Sequence, residues 1–325
     1  MTRLAWRLHR WQILGTVGIT VVLTAIMVIQ RVRAAGLIDD SPGGVCPDGS
    51  SAGCRSGAEN VFNDTFLGYL TGMDIALLVV PVLLGLWCGA GLFADEFQRN
   101  TAGFVLTQST SRRRWLVTKL AVVAGPLAGS MIVLGLVSLW TLEPMRHHRM
   151  VSILSEEYFP TMGTMPAGLA VLTFAVAAVA GLWSRNVVLS LAVGLIATAG
   201  IFLATTQTRS GYFPAEEFTA QISADSLWGP SSLSSPQGTW FIDLSYYDES
   251  GDDVTSRFES SCFSGSRIES ILECATEVGA VTVESRYHPP SHFWPLQLVE
   301  TGLYLVLAAA VIALGDRVLH RRDIS

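Results

Sequence analysis

Residues 95–120 read DEFQRNTAGFVLTQSTSRRRWLVTKL, a polar and basic stretch that lies between two long apolar runs. The flanking runs, 75–93 and 120–142, contain no charged residue, and each has about the 20 residues that a helix needs to cross hydrocarbon. Membrane proteins usually keep such connections short unless the connection binds something. The stretch therefore predicts a membrane protein in which one loop is a docking element.

The rest of the composition extends this interpretation to the whole chain. Half of the 325 residues are hydrophobic and 15% are charged, whereas about 25% are charged in soluble domains. Four further apolar runs lie at 12–29, 165–184, 186–208 and 293–315. We therefore expect an all-α polytopic membrane protein with six transmembrane helices. No small-x-small cleavage pattern follows the long first run, so we expect it to be a retained span.

Basic residues predict the orientation of the spans. If both termini are cytoplasmic, 12 of the 21 basic residues fall in short inner segments. These are Arg3, Arg7, Arg10, Arg99, Arg112, Arg113, Arg114, Lys119, Arg185, Arg317, Arg321 and Arg322. The positive-inside rule therefore favours cytoplasmic termini. The net charge of −6 then belongs to the outer loops, and we expect no nucleic-acid partner.

The spans and loops divide the chain into segments. We expect an amphipathic interfacial helix over 1–11, although an ordinary positive flank would have the same pattern. Spans one to five occupy 12–208 with an inner coupling segment at 95–119, an extracellular cap occupies 209–292, span six occupies 293–316, and 317–325 form a cytoplasmic tail. In the cap, 240–247 and 280–284 are candidate strands and 266–276 is a candidate short helix. The first outer loop, 32–71, is expected to be irregular.

Four cysteines fall in the outer segments as two close pairs. In an oxidising compartment they predict the disulfides Cys46–Cys54 and Cys262–Cys274, with free thiols as the alternative. Cys88, inside the second span, is interpreted as a packing residue.

Motifs for catalysis and metal binding are missing from the sequence. It contains no G-x-x-x-x-G-K-[ST], G-x-S-x-G or H-E-x-x-H pattern. Adjacent His147 and His148 rarely converge on one metal ion. We therefore expect no catalytic residue, no metal and no enzymatic activity in this chain alone. Asp74 and Glu300, near the outer ends of their spans, either reach the interface or form part of an outer gate or proton site.

The loop between spans two and three has a helical pattern of its own. Phe97, Thr101 and Phe104 continue from Phe93 at helical spacing and would form an apolar face. Ser109 or Ser111 can cap the next helix, which continues to Lys119. The pattern predicts a short helix on the membrane, a break, and a new span; the alternative is a solvated basic loop.

A family resemblance follows from these residues. The stretch Glu96-Phe97-Gln98-Arg99-Asn100-Thr101, followed by Gln108-Ser109-x-Ser111-Arg112-x-x-Trp115-Leu116-x-x-Lys119, resembles permease subunits of ABC type-2 exporters. In that family a Glu, a Gly-Thr step, a Ser-Arg pair and a Lys mark this link. Asn100 stands where Gly is usual.

The resemblance implies partners and roles. Glu96, Thr101 and Arg112 would couple the permease to its ATPase, and Phe97 and Phe104 would offer apolar contact. Two copies of a separate P-loop ATPase would carry ATP and Mg, so this chain needs no cofactor itself. A second permease copy would complete a homodimer or related heterodimer among membrane lipids.

The resemblance also implies a substrate class and an exit. Members of the family export drugs, peptides, lipids and polysaccharides across the membrane, here expected to be a bacterial plasma membrane. Because the spans of this chain contain few polar residues, the expected cargo is an amphipathic or hydrophobic drug, peptide or lipid rather than a free sugar. A re-entrant outer helix at 215–220 would place Glu216 and Glu217 in a watery outer gate with Asp74 and Glu300. The alternatives are a membrane sensor or accessory subunit whose cap binds a ligand, and an intramembrane enzyme.

Overall fold

The computed structural model describes residues 2–39, 52–98, 112–149, 152–224, 226–227, 229, 239–262 and 268–321. The chain forms two compact units. We call the first the membrane unit; it comprises Met1–His148, Glu157–Gln207 and Gln297–Ser325. We call the second the sheet unit; it comprises Arg149–Glu156 and Thr208–Leu296.

Eight helices and three strands follow one another along the described part of the chain. In order they are α1 (Thr2–Asp39), α2 (Ala52–Gln98), α3 (Arg112–Arg149), α4 (Met165–Ser184), α5 (Val187–Thr208), β1 (Glu216–Gln221), β2 (Trp240–Tyr247), α6 (Thr255–Cys262), α7 (Ile268–Val278), β3 (Thr282–His288) and α8 (Phe293–Arg321). Short 3₁₀ turns lie at Phe159–Thr161, Arg209–Gly211 and Pro290–His292.

Six of the helices, α1–α5 and α8, are long and apolar enough to cross a membrane. This confirms the six predicted spans. Residues 2–11 are helical, and α1 continues through them into the span without a break. Their interfacial role stays a prediction.

The expectation of an irregular first outer loop over 32–71 is wrong for both of its described parts, because 32–39 continue α1 and 52–71 belong to α2. Helix α2 begins at Ala52, well before the apolar run. The reason is packing, because Phe66 and Leu70 lie one turn apart and bury their side chains against Ala34 of α1. The sequence between Ala52 and Thr71 also contains no proline that would end the helix.

The centre of the membrane unit is the contact between α2 and α4. A Cβ atom added at Gly85 would lie 2.6 Å from the carbonyl oxygen of Ala170, and one at Gly89 would lie 2.5 Å from that of Phe174. The two backbones therefore touch at two successive turns, as small residues permit between membrane helices. Helix α4 is buried along nearly its whole length.

The sheet unit contains a three-stranded antiparallel sheet in the order β1-β3-β2. One face packs on α6 and α7, where Tyr246, Phe258 and Val283 are fully buried. The Cys262–Cys274 disulfide joins these helices with a Cα–Cα distance of 5.5 Å, as predicted. Cys46 lies outside the described residues, so the Cys46–Cys54 pairing stays a prediction.

Two predictions fail in the sheet unit. The all-α class holds for the spans, but this unit is built on a sheet. The re-entrant helix predicted at 215–220 is wrong, because Glu216–Gln221 is strand β1. Phe218 and Ala220 pack against the core while their neighbours are exposed, which is the two-residue alternation of a strand. The predicted strand 240–247 is confirmed as β2, and β3 and α7 overlap the other two predicted elements.

Candidate functional site

The predicted coupling segment, 95–119, includes the last residues of α2 and the first residues of α3. Glu96 and Phe97 belong to the last turn of α2, which runs through Gln98 as a continuation of the span. Arg112 is the first residue of α3. Thr101 and Phe104 lie outside the described residues, so the coupling role of these five residues stays a prediction.

The last residue of this segment, on helix α3, is a buried lysine. Lys119 of α3 is 4% exposed, and its Nζ donates a hydrogen bond to the carbonyl oxygen of Leu92 in α2 at 3.1 Å. The same Nζ lies 5.0 Å from the ring centroid of Trp115 and 5.4 Å from that of Phe93. The two rings lie 5.3 Å apart. We call Leu92, Phe93, Trp115 and Lys119 the lysine clamp.

The sequence explains why these side chains meet. Trp115 and Lys119 are four residues apart on α3 and therefore project from the same face of the helix. Leu92 and Phe93 are adjacent near the end of α2, so one supplies a carbonyl group and the other a ring. All four residues are buried. The clamp therefore joins the two helices on either side of residues 99–111.

The chemistry of the clamp suits an ammonium group. A buried charge is costly unless polar groups surround it. Here the carbonyl dipole accepts a hydrogen bond and two aromatic faces offer cation–π contacts, each of about 0.5–2 kcal/mol. Lys119 is also the only lysine in a chain with 20 arginines. A compact ammonium group at one point contacts both rings and the carbonyl oxygen, whereas a guanidinium is a broad planar fork.

The sequence pattern included Trp115 and Lys119 but gave them no role, and it missed Phe93 as a partner. Phe93 ends an apolar run, so the sequence alone makes it one of many apolar side chains. The available signal was the solitary lysine at helical spacing from a tryptophan.

The predicted outer-gate residues belong to both units of the chain. In the membrane unit, Glu300 of α8 is fully buried and accepts a hydrogen bond from the Tyr304 hydroxyl at 3.3 Å. Asp74 is half-buried in α2. In the sheet unit, Glu216 and Glu217 are exposed on β1. Their role in a gate stays a prediction.

A second polar group on α8, missed by the sequence analysis, lies close to Glu300. The Gln297 Oε1 accepts hydrogen bonds from the backbone N–H groups of Thr164 and Met165 at 3.0 and 3.1 Å, and its Nε2 donates to the carbonyl oxygen of Phe159 at 2.8 Å. Gln297 thereby satisfies the first N–H groups of α4 from a different helix.

Among the described residues, no group of three or more His, Cys, Asp or Glu side chains is arranged to hold a metal ion. Several described polar groups of the membrane unit, among them Lys119, Gln297 and Tyr304, connect one helix to another. This arrangement is suited to transmitting movement between spans.

Comparison with known proteins places this architecture in a family. The chain matches the family described as "ABC-2 membrane transporter related" over residues 17–209, which is more than half of its length. No curated protein and no solved structure matches it significantly. The matched region runs from α1 to the end of α5 and includes the whole lysine clamp. This multi-pass membrane protein therefore belongs to the ABC-2 membrane transporter-related family.

Proposed function

We propose that the chain is the permease subunit of an ATP-driven exporter, and that a separate P-loop ATPase docks on segment 95–119. The lysine clamp is the observation that carries this proposal. It connects the last turns of α2 to the first turns of α3, on either side of residues 99–111. A partner that moves the segment would therefore move both helices together.

The movement would extend to a third span. Helix α2 contacts α4 backbone to backbone at Gly85 and Gly89, so we expect these two helices to move together. Rigid-body rotation of such a pair is a common way to open and close a cavity. Two permease copies, each with its own ATPase bearing ATP and Mg, would enclose that cavity between them.

Polar side chains in the membrane unit already form hydrogen bonds between helices, which supports an amphipathic or hydrophobic cargo. Gln297 is engaged with α4, and the Tyr304 hydroxyl lies 2.7 Å from the Thr205 hydroxyl on α5. Side chains already bonded between helices are poor partners for a highly hydroxylated sugar. A drug, peptide or lipid with few polar groups needs fewer hydrogen bonds from the protein.

The test uses the chain's single lysine as a reporter. The permease is purified with its ATPase in lipid nanodiscs and treated with an amine-reactive reagent, with the N-terminal amine as internal reference. We expect slow modification of Lys119 without nucleotide and a changed rate when ATP and Mg are trapped on the ATPase. An identical rate in every nucleotide state would contradict movement at the clamp.

A substitution pair completes the test. Lys119→Met keeps the length of the side chain but removes the ammonium group, and we expect ATP hydrolysis to continue with at least several-fold less transport. Lys119→Arg keeps the charge, but we expect its broad planar fork to reproduce the contacts with the carbonyl oxygen and the two rings poorly, so that transport falls here too. Full coupling in Lys119→Met, or failure to recover any ATPase with the native permease, would overturn the proposal.

One observation favours a second candidate function, that of a sensor or accessory subunit. The face of the sheet opposite α6 and α7 carries a polar cleft of about 230 Å³. It is lined by Glu217, Phe218, Thr219, Asp243, Ser245, Tyr247, Glu284, Ser285 and Arg286. Recovery of the native chain with a kinase and without an ATPase would favour this candidate.

A further inference from the structure

Two histidines in the sheet unit face each other through the same ring nitrogen. His288 ends β3, and His292 ends the 3₁₀ turn that follows it. Their Nδ1 atoms lie 3.1 Å apart, which is hydrogen-bond distance. His288 is fully buried, and the His292 side chain is 13% exposed.

The outer nitrogen of each ring faces an acceptor. The His288 Nε2 lies 3.2 Å from the carbonyl oxygen of Ser210, which has no proton to donate. The His292 Nε2 lies 3.8 Å from Oε1 of Glu216. The other oxygen of that carboxylate accepts a hydrogen bond from the Tyr287 hydroxyl at 3.0 Å. Both surroundings favour a proton on Nε2.

With a proton on each Nε2, neither Nδ1 atom carries the proton that a hydrogen bond between them requires. A neutral imidazole carries a proton on only one nitrogen. With a proton on each Nε2, the two Nδ1 lone pairs point at each other at 3.1 Å and repel. One added proton on the Nδ1 of His292 removes the repulsion, because it donates to His288 while Nε2–H of the same cation faces Glu216. A second added proton would set two N–H groups against each other.

We propose that His288 and His292 bind one shared proton between their Nδ1 atoms. The resulting hydrogen bond would hold His292, which directly precedes α8, to His288 at the end of strand β3. The site takes up the proton on His292, and His288 stays neutral as the acceptor. With one added proton, the two Nδ1 atoms form a hydrogen bond. With none, their lone pairs repel and weaken the contact, and with two, their N–H groups repel and break it.

The neighbouring groups support this division of roles. Burial lowers the pKa of His288, the hydrogen bond to Ser210 raises it, His292 and Arg286 lower it, and Glu216 raises it. Two uncharged rings also lie beside the pair. The ring centroid of Trp240 in β2 is 5.4 Å from that of His288, and the ring centroid of Phe213 is 4.6 Å from that of His292. The only carboxylate recorded beside the pair among the described residues is that of Glu216, which faces His292.

A proton fits the site better than a metal ion. Two Nδ1 atoms at 3.1 Å could approach one edge of a zinc site, but structural zinc has four protein ligands and catalytic zinc has three. No third His, Cys, Asp or Glu completes such a set in the part of the chain that the structure describes.

The site lies on the connection between the last two spans. Ser210 follows α5 in sequence, and His292 directly precedes α8. If the chain is an exporter with this unit outside, which is the proposed function, the pH of the medium would act on how the last span is held. The binding of the proton itself does not depend on that function, and its test needs no transport.

The experiment is a pH titration of the full chain in nanodiscs, with histidine labelled by ¹⁵N and resonances assigned with His288→Gln and His292→Gln. From about pH 8 to pH 5, the range in which histidines titrate, we expect one proton to be taken up by His292 while His288 keeps a proton only on Nε2. In the His288→Gln variant this uptake should shift to lower pH, because the Nδ1 acceptor is lost.

Two carboxylate variants provide the matched comparison. Glu216→Gln removes the charge that faces His292, and proton uptake should then require a lower pH. Glu217→Gln removes an equal charge from the next residue of β1, whose side chain lies on the other face of the sheet, and should leave uptake unchanged.

Three results would overturn the proposal. The first is independent titration of the two rings, unchanged in either single-histidine variant. The second is an equal shift in Glu216→Gln and Glu217→Gln. The third is displacement of the shared proton by zinc added at neutral pH and its return with a chelator, which would assign the site to a metal.

Discussion

Individual polar side chains in the membrane unit act mainly as connectors between helices. Lys119 connects α3 to α2, and Gln297 connects α8 to the first turn of α4. Both are almost completely buried. In a medium without water an unsatisfied N–H or C=O group costs several kcal/mol, so each such side chain fixes one arrangement of the helices.

Gln297 allows a prediction for a single residue. The Gln297→Leu substitution keeps a similar volume but leaves two N–H groups and one carbonyl without this partner. We expect the free energy of unfolding to fall by at least about 1–3 kcal/mol, the cost of one buried unsatisfied group. The measurement is the unfolding midpoint in mixed micelles.

Gln207→Leu serves as the control for Gln297→Leu. Gln207 is exposed near the end of α5, and its replacement should change the midpoint little. Equal midpoints for Gln297→Leu and the unmodified chain would show that the three hydrogen bonds contribute nothing.

At the scale of elements, the contact between α2 and α4 decides which helices move together. Gly85→Ala or Gly89→Ala would force a Cβ atom to within about 2.5 Å of a carbonyl oxygen, far closer than van der Waals contact. Overpacking of this kind costs about 1–3 kcal/mol, so both variants should unfold more easily. They should also transmit ATP hydrolysis to transport less efficiently.

Gly129→Ala in α3 is the matched control. A Cβ atom there meets nothing within 4 Å, and alanine is favoured over glycine in a helix by about 1 kcal/mol. The control should therefore be neutral or stabilising. If all three alanine variants behave alike in the unfolding assay, close backbone contact is not what holds α2 to α4.

A helix or strand could be predicted from the sequence when its pattern lies within its own residues and does not depend on contacts with distant residues. The six spans were found because each is a long apolar run. Strand β1 was missed because Phe218 and Ala220 are its only inward apolar residues, and its partner β3 lies more than 60 residues further on. The start of α2 was missed because its helical turns near Phe66 depend on contact with Ala34 of α1.

The candidate site shows the same limit. The motif predicts a coupling segment at 95–119, and its role stays a prediction; the structure shows that α2 ends and α3 begins within these residues. The clamp depends on Phe93 and Lys119 meeting across two helices, which residue spacing along one helix cannot reveal. Gln297 was hidden for the same reason, as its partners precede it by more than 130 residues.

At the scale of the whole molecule, the orientation of the spans is open to a direct test. The distribution of arginines predicts that the turn at Arg185 lies inside and that the sheet unit lies outside. A membrane-impermeant thiol reagent on intact cells should label Glu249→Cys, in an exposed turn of the sheet unit, and should label Arg185→Cys only after permeabilisation. The unmodified chain sets the background, and the reverse pattern would invert the topology.

Helix α4 has a consequence for how the protein is made. It is enclosed by other helices along nearly all of its length, yet its sequence is as apolar as a segment that faces lipid. The finished bundle does not require this, because an enclosed helix could carry satisfied polar groups. The translocon, however, inserts each segment according to its hydrophobicity, before the neighbouring helices surround it. Polar replacements in α4 should therefore be rejected at insertion, during synthesis, even where the mature packing would accept them.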